Sequence, residues 1–265
     1  METPDSFAGR VVCVTGAGSG IGTATVRQFA ARGATVIATG RNMAALRETF
    51  AEEERIEPVQ LEVTDEGMWE RCIDGCLERH GRLDVLVNNA GIGASIPLLD
   101  TQTSDWRNVL ATNLDSIFFG TRQAVRAMLA TEKPAGNRGA IVNVSSVLGL
   151  VGTSRGAAYS ATKGAIRLFS KSVALESAAL GWGIRVNSVH PGFIETTLLT
   201  RMFQERAEAE KRPVEELKGA LAARHPVNRL GQSDEVAAAI VFLASDAASF
   251  ITGVELAVDG GYTAQ

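Results

Sequence analysis

The side chains best suited to proton transfer in this chain are a tyrosine and a lysine one helical turn apart, Tyr159 and Lys163. Positions i and i+4 share one face of a helix, so the two side chains would lie together. A free phenol has a pKa of about 10, and a neighbouring ammonium favours its ionised form. We therefore expect Tyr159 to give a proton to a carbonyl oxygen or to take one from an alcohol. Ser146, at the end of a predicted strand, could hold that oxygen by a hydrogen bond.

A glycine-rich turn at residues 15–22, Thr-Gly-Ala-Gly-Ser-Gly-Ile-Gly, follows a predicted strand and opens a predicted helix. That context predicts a nucleotide-binding turn. Gly16 permits a tight turn, Gly20 lets a pyrophosphate approach the backbone, and Gly22 lets the helix pack closely on the strand. The helix N-terminus adds free N–H groups and a partial positive charge for the phosphates.

The residues after the second predicted strand, Thr39-Gly40-Arg41-Asn42, include no carboxylate. Folds that bind NAD commonly place an acid here to hold the ribose 2′-hydroxyl, whereas a guanidinium suits a 2′-phosphate. Arg41 therefore favours NADP(H) over NAD(H). Ser19 is neutral where a second cation could lie, and a solvated Arg41 at the start of a helix is the alternative.

The overall composition argues against several other classes of protein. The 265 residues carry a net charge of −4 without a basic run, so nucleic acid is not an expected partner. The three cysteines and three histidines form no metal-binding or disulfide pattern, so no metal site is predicted. The N-terminus does not resemble a signal peptide and the apolar runs are too short to span a bilayer, so we expect a cytoplasmic protein that does not bind membranes.

Short apolar runs alternate with longer helical patterns along the chain. Predicted strands cover residues 10–15, 34–39, 58–63, 85–88, 140–144, 184–189 and 254–258. Predicted helices cover 20–32, 43–54, 66–80, about 104–130, 158–180 and 234–244. This alternation predicts an α/β fold, a doubly wound parallel sheet of seven strands, in a single domain over 1–265.

The segment 197–228 interrupts the alternation, because it is charged, helix-prone and without a predicted strand. It follows the carboxyl end of the sixth strand, where such sheets bind ligands, so we expect a lid over the substrate. A pair of solvated surface helices is the other interpretation.

From about Phe7 to Tyr262, these motifs resemble the short-chain dehydrogenase/reductase family in its compact Rossmann-type branch. The TGxxxGIG pattern is residues 15–22, the NNAG motif is 88–91, the PG motif begins at Pro191, and 258–261 match the C-terminal signature. The resemblance implies a catalytic set of Asn113, Ser146, Tyr159 and Lys163, with Asn113 holding a water in a proton relay. It implies dinucleotide contacts from Gly16, Ser19, Gly20, Ile21, Gly22, Arg41, Glu62, Val63, Asn89, Ala90, Gly91, Tyr159, Lys163, Pro191, Gly192, Ile194 and Thr196.

Two local features refine the implied cofactor contacts. Gly40-Arg41 is similar to the arrangement in NADPH-using members such as tropinone reductases. Glu62 departs from the family pattern, because an aspartate usually contacts the adenine there. The longer carboxylate could still accept from the amino group, and Val63 could contribute backbone.

The resemblance implies interconversion of a ketone and a secondary alcohol. A 3-oxoacyl-carrier-protein reductase is the rival, but its two docking arginines align with Asn137 and Leu175. A small, largely apolar substrate is therefore expected, with pocket candidates Ile96, Leu98, Leu148, Leu150, Phe193, Leu198, Leu199, Met202 and Phe203. A non-catalytic dinucleotide sensor remains a third reading, although such proteins tend to lose the tyrosine or lysine.

The long predicted helices 104–130 and 158–180 carry alanine-rich faces. The family resemblance implies that they pair in a dimer within a tetramer. From the residues alone, a homo-oligomer is the expectation, and the same faces could instead pack on the sheet.

Overall fold

The computed structural model describes residues 6–93, 95–131 and 137–265. The described residues form a seven-stranded sheet with the order β3-β2-β1-β4-β5-β6-β7, and every neighbouring pair is parallel. The strands are β1 (Val11–Thr15), β2 (Thr35–Gly40), β3 (Ile56–Gln60), β4 (Val85–Asn88), β5 (Gly139–Val144), β6 (Ile184–Pro191) and β7 (Glu255–Val258). The strand order reverses between β1 and β4, which confirms the predicted doubly wound α/β fold.

Helices cover both faces of the sheet. They are α1 (Gly20–Ala31), α2 (Met43–Thr49), α3 (Glu66–His80), α4 (Thr103–Leu110), α5 (Ser116–Ala130), α6 (Ala157–Ala179), α7 (Thr197–Glu210), α8 (Val214–Ala222) and α9 (Ser233–Ala244). No helix among the described residues is long and apolar enough to cross a membrane.

Alternate residues of the central strands face two hydrophobic cores. Val12 and Val14 of β1 pack into the core that contains Phe29 of α1 and Ile240 of α9. Cys13 lies in the core on the other face, with Trp69 and Met128. All three cysteines are buried and free, and they pack as small apolar side chains.

Two predicted boundaries near the sheet edge were wrong. Helix α2 ends at Thr49 rather than at residue 54, because the chain turns at Phe50, whose ring is buried in the core. Strand β3 begins earlier than predicted, at Ile56, and Pro58 lies inside it, paired with Ala38. Proline is tolerated because β3 is an edge strand that pairs only with β2.

The single helix predicted over 104–130 is instead two helices joined by a π-helical turn, Ala111–Asp115. Turns of this kind widen the helix by one residue and occur frequently at functional sites. The turn contains Asn113, so the break in regular geometry falls on one of the residues predicted to act in catalysis.

Candidate active site

The predicted functional residues converge on one edge of the sheet. Thr15, Asn88 and Pro191 end parallel strands, and Ser146 follows β5 by two residues. Because all of these strands are parallel, their carboxyl ends lie at the same edge, which is where open α/β sheets bind ligands.

Ser146 and Tyr159 are joined by a hydrogen bond between their side chains. The Ser146 hydroxyl also accepts from Leu148 N at 3.1 Å, which fixes it at the start of a short helical turn. Tyr159 is half-buried on the first turn of α6. Burial raises the pKa of the Tyr159 phenol, and the bond to Ser146 acts in the opposite direction. The structure therefore places the serine where it can contact both the phenol and a bound oxygen.

Lys163 is 4% exposed, and its Nζ donates to the carbonyl oxygen of Val144 at 2.9 Å. Burial lowers the pKa of Lys163 to about 8. Nζ lies 5.5 Å from the centroid of the Tyr159 ring. We expected the ammonium to lower the pKa of Tyr159, but the pKa is raised, because burial outweighs the opposing effect of the Ser146 hydrogen bond. The Lys163 amine instead donates to the Val144 carbonyl.

Asn113 is fully buried on the π-helical turn and holds the backbone of Ile92. Its Oδ1 accepts from Ile92 N at 2.8 Å, and its Nδ2 donates to Ile92 O at 3.0 Å and to the Thr162 hydroxyl at 3.4 Å. A Cβ on Gly91 would lie 3.2 Å from Asn113 Oδ1 and 3.7 Å from Lys163 Nζ. The end of the NNAG motif therefore lies beside both residues.

The glycine turn leaves room that side chains would fill. Gly16 has a φ of +64°, and a Cβ there would lie 2.9 Å from Ala90 Cα. A Cβ on Gly22 would lie 2.1 Å from Gly16 O, so close packing of helix on turn requires this glycine. Gly20 has a φ of +53°, and its Cβ would meet Thr196 Cγ2 at 2.9 Å. The predicted phosphate contacts Gly20 and Thr196 are thus neighbours.

The N-terminus of α1 fits a pyrophosphate. Ser19 is its N-cap residue and makes no capping hydrogen bond from its side chain. The first turn, which holds Gly20, Ile21 and Gly22, carries no acidic residue. Uncapped N–H groups on a glycine turn are the standard cradle for phosphate oxygens.

Thr15 has a structural role that sequence reasoning missed. Its hydroxyl accepts from the backbone N–H groups of Asn89 at 2.9 Å and Ala90 at 3.0 Å. Asn89 Nδ2 in turn donates to Thr15 O at 2.8 Å. The side chains of Asn88 and Asn143, paired across β4 and β5, are also bonded at 2.9 Å. These bonds tie the NNAG motif to the glycine turn. The threonine directly before the first glycine is the feature of the sequence from which this role could have been predicted.

The predicted adenosine contacts lie at the carboxyl ends of β2 and β3. Arg41 is exposed, and its guanidinium makes no hydrogen bond or ion pair within the described part of the chain. The Glu62 carboxylate accepts from the Thr64 hydroxyl at 3.1 Å, and Val63 O accepts from Trp69 Nε1 at 3.0 Å. Arg41 is thus available to a ligand, whereas Glu62 and Val63 each have a partner within the protein.

The PG motif ends β6 and crosses to the lid. Pro191 pairs with Val258 of β7, and Gly192 N donates to Val258 O at 3.0 Å. Ile194 is buried and forms a bridge with Gly231. Thr196 caps α7 by accepting from Leu199 N at 3.3 Å. Its position beside Gly20 brings the start of the lid to the nucleotide turn.

The predicted lid consists of α7 and α8 around a small core of its own. Leu199 and Phe203 are buried in that core with Leu217 and Leu221, so these two pocket candidates pack within the lid rather than line a pocket. Leu98 is 73% exposed. The side chain of Leu198 lies outside the described residues. The candidates that remain half-buried are Ile96, Leu148, Leu150, Phe193 and Met202.

His225 joins the lid to the PG motif. Its Nε2 accepts from Phe193 N at 3.3 Å, and its Nδ1 lies 3.0 Å from Leu221 O at the end of α8. The ring packs against Phe193 and Tyr262, with centroid distances of 5.9 and 5.3 Å. Nothing in the residue pattern had singled out this histidine.

No group of three or more histidine, cysteine, aspartate or glutamate side chains that could hold a metal ion occurs within residues 6–93, 95–131 and 137–265. The site described above therefore consists of the Ser146–Tyr159–Lys163 set, the glycine turn and the residues that fix them.

Comparison with known proteins places this chain in a family. Residues 16–263 match the family model described as enoyl-(acyl carrier protein) reductase. The NADP-dependent (R)-specific alcohol dehydrogenase of Lentilactobacillus kefiri is 40% identical over 270 residues, covering 98% of this chain and 99% of that protein. The cis-4-hydroxycyclohexanecarboxylate dehydrogenase of Sinomonas cyclohexanicum is 43% identical over 267 residues, with 98% and 99% covered.

A further relative and a solved structure support the same family. A 3-oxoacyl-[acyl-carrier-protein] reductase of Thermotoga maritima is 39% identical over 257 residues, covering 96% of this chain and 97% of that protein. The crystal structure of gox2181 superposes with a TM-score of 0.87 at 34% identity, covering 99% of this chain and 98% of that one. With the glycine turn, the NNAG motif and the Ser146–Tyr159–Lys163 set in place, the chain belongs to the short-chain dehydrogenase/reductase family, the nicotinamide dinucleotide-binding oxidoreductases that act on CH–OH groups.

Proposed function

We propose that this protein interconverts a ketone and a secondary alcohol on a small, largely apolar substrate, with NADP(H) as its cofactor. The observation that carries this proposal is the hydrogen bond between Ser146 and the Tyr159 phenol, beside the buried amine of Lys163. This arrangement provides a proton donor and a second hydroxyl for one oxygen atom of the substrate.

A bound nicotinamide supplies a hydride for reduction and accepts one in oxidation. In reduction, Tyr159 gives its proton to the carbonyl oxygen, and in oxidation it takes the proton of the alcohol. The Ser146 hydroxyl holds the same oxygen. Ionisation of Tyr159 near neutral pH requires roughly 4 kcal/mol of differential stabilisation for a shift of about 3 units. Within the protein, protonated Lys163 is the nearby cation that favours the phenolate.

The preference for NADP(H) rests on Arg41. Its exposed guanidinium is available at the end of β2, where a 2′-phosphate would lie, and no carboxylate follows that strand. The Lentilactobacillus relative is NADP-dependent, which supports the same assignment.

An acyl-carrier-protein substrate is the alternative, because a relative with that activity is of similar identity. Two positions favour a free small molecule. Asn137 is a neutral residue whose Nδ2 donates to Asp246 at 3.1 Å, and Leu175 is apolar and 73% exposed. Neither can supply the positive charge that the resemblance implies for docking an acidic carrier protein.

The test is turnover of NADPH with cyclic and aromatic ketones, with 3-oxoacyl thioesters as the competing class. Tyr159→Phe should abolish turnover and leave NADPH affinity nearly unchanged, because only the phenol hydroxyl is removed. Tyr262→Phe is the matched control, since Tyr262 is the second of the two tyrosines and its hydroxyl bonds to Arg224. Full activity of Tyr159→Phe would refute the catalytic assignment.

Two other results would redirect the proposal. Faster turnover of acyl thioesters than of free ketones would favour the carrier-protein reductase. NADPH binding without turnover on either panel would favour a non-catalytic sensor. Retained NADPH binding distinguishes both results from a protein that is merely damaged.

We also propose that the protein is a homo-oligomer, a dimer or tetramer. Leu168 and Leu175 project from α6 with exposures of 63% and 73%, and Phe118 on α5 is 45% exposed. Large apolar side chains exposed on helix surfaces are typical of subunit interfaces. Light scattering coupled to gel filtration would report the mass, and a monomer at micromolar concentration would exclude the assembly.

A further inference from the structure

His190 is the next-to-last residue of β6 and immediately precedes the PG motif. Its side chain is fully buried. None of the roles described above involves it, yet its ring lies against the backbone of Ser146, which is on the neighbouring chain segment after β5.

The two ring nitrogens have different partners. Nδ1 lies 3.0 Å from Ser146 O, and Nε2 lies 2.9 Å from the Ser188 hydroxyl. A carbonyl oxygen only accepts, so Nδ1 must carry the hydrogen. Burial lowers the pKa of His190, which keeps the ring neutral and leaves Nε2 to accept from Ser188. Of the charged groups near the ring, Glu255 favours protonation, whereas Arg167 and Lys163 oppose it.

The backbone of β6 offers little to hold Ser146 at this point. The last hydrogen bond of the β5–β6 ladder runs from Ser145 N to Val189 O at 2.8 Å. Pro191 has no N–H to donate. The Ser146 carbonyl accepts from Gly149 N at 2.9 Å within its own short helical turn. The imidazole of His190 adds a second donor to that carbonyl, this one from β6, and so ties the residue whose hydroxyl faces Tyr159 to the neighbouring strand.

We propose that His190 is a positioning residue for the reaction: by donating from Nδ1 to the Ser146 carbonyl, it orients the peptide of Ser146 so that the serine hydroxyl faces the Tyr159 phenol. The inference rests on the proposed function, because Ser146 and Tyr159 are assigned there. A displaced catalytic group reduces the rate of the chemical step more than it reduces cofactor binding.

Two amide variants separate the two nitrogens. In His190→Asn, Nδ2 takes about the place of imidazole Nδ1 and still donates to Ser146 O. In His190→Gln, the amide reaches the place of Nε2 and contacts Ser188 instead. We expect His190→Asn to retain kcat within about threefold, and His190→Gln to lose about 10- to 100-fold in kcat with NADPH affinity unchanged. Equal kcat values for the two variants would overturn the proposal.

A double-variant cycle tests whether His190 acts through the serine. If it does, His190→Gln should cost almost nothing further when Ser146 is already alanine, because the hydroxyl that it orients is gone. A full additional loss in the Ser146→Ala protein would show that His190 acts elsewhere. Ser188→Ala is the matched control, since it removes the partner of the opposite nitrogen and should affect kcat less than His190→Gln.

A measurement without turnover separates this inference from the proposed function. In a Tyr262→Phe protein, tyrosinate absorbance reports Tyr159 alone, because the chain has two tyrosines. The Ser146 bond lowers the pKa of Tyr159, so His190→Gln should raise the titration midpoint and His190→Asn should not. If neither variant folds, 15N chemical shifts of the wild-type ring decide: an Nδ1–H tautomer supports the proposal, and an Nε2–H tautomer contradicts it.

Discussion

Arg41 carries the cofactor preference in this proposal. It is exposed at the end of β2, and its guanidinium makes no contact with an acid within the described residues. Truncation of Arg41 would remove a charge-assisted pair of hydrogen bonds to the 2′-phosphate of NADPH. The 2′-hydroxyl of NADH would lose little binding free energy. The preference should therefore depend on this one side chain.

We expect Arg41→Ala to weaken NADPH binding by about 10- to 100-fold and NADH binding by much less. Fluorescence titration with each dinucleotide measures both affinities. Arg47→Ala is the control, because Arg47 is an exposed arginine in the following helix. Equal losses for NADPH and NADH in Arg41→Ala would remove this residue from the argument for NADP(H).

The buried amine of Lys163 makes stability depend on pH. Its pKa falls from 10.5 to about 8 through burial, so the folded state holds fewer protons than the unfolded state between those values. Unfolding in that window takes up a proton, and stability rises with pH. Below about pH 8 the buried amine is protonated in the folded state, so the folded state bears the full free-energy cost of burying the charge.

Lys163→Met lacks this titration, so the comparison isolates it. The free energy of unfolding of the variant minus that of the wild type should fall by roughly 2–3 kcal/mol between pH 7 and pH 10. Urea denaturation at several pH values measures the difference. Leu168→Ala, at a non-titrating and exposed position of α6, should differ from wild type by the same amount throughout. A constant difference for Lys163→Met would mean that its amine is not buried as a charge.

The residues suited to proton chemistry could be identified from the sequence, but their hydrogen-bond partners could not. The spacing of Tyr159 and Lys163 indicated proton chemistry, and the structure brings them together with Ser146. The carbonyl of Val144 that accepts from Lys163, and the one of Ser146 that accepts from His190, are backbone atoms. Every residue has such a carbonyl, so no residue type marks the one that a buried side chain will reach.

At the scale of elements, the glycine turn shows how one atom limits packing. A Cβ on Gly22 would lie 2.1 Å from Gly16 O, which is a backbone atom within the turn. A Cβ on Gly75 of α3 would meet only the end of the Arg79 side chain at 3.0 Å, and that end can move. The two helical glycines therefore form a matched pair.

We expect Gly22→Ala to abolish NADPH binding and to destabilise the fold by about 1–3 kcal/mol, because the turn must open to admit the methyl group. Gly75→Ala should be neutral or stabilise by about 0.5–1 kcal/mol, since alanine favours the helix. Calorimetric melting with and without NADPH measures both effects. Tight NADPH binding by Gly22→Ala would show that the turn is not the nucleotide site.

The helices and strands could be predicted from the spacing of apolar residues, whereas breaks in their regular geometry could not. The alternation of strands and helices predicted the parallel sheet, which the strand order confirms. The π-helical turn at Ala111–Asp115 was not visible, because its residues are compatible with a continuous helix. A tertiary contact fixes the π-helical turn, because Asn113 bonds to both backbone groups of Ile92, on a loop distant in sequence.

The whole molecule contains two kinds of core. The sheet is packed on both faces, and Phe29 in one of those cores contacts Phe7 edge-to-face at 4.8 Å between centroids. The lid has a separate, smaller core around Phe203. His225 connects the lid to the PG motif through two backbone groups. We therefore expect the predicted lid to loosen while the sheet remains folded.

This difference predicts unlike outcomes for two phenylalanine truncations. Phe29→Ala should lower the global free energy of unfolding by about 3–5 kcal/mol, because Phe29 is fully buried in the sheet core. Phe203→Ala should instead open α7 and α8 locally, since only the small lid core depends on that ring. Opening reduces the population able to bind substrate, so KM for the ketone should rise by about 10-fold with a smaller change in NADPH affinity.

Limited proteolysis with trypsin locates the change. In Phe203→Ala the first cleavages should fall within α7 and the turn after it, at residues such as Arg206 and Lys211, and leave the sheet fragments intact. In Phe29→Ala cleavage should be spread along the chain, since global unfolding exposes every site. A Phe203→Ala protein that loses as much global stability as Phe29→Ala, with KM unchanged, would show that α7 and α8 are part of the sheet core and not a lid.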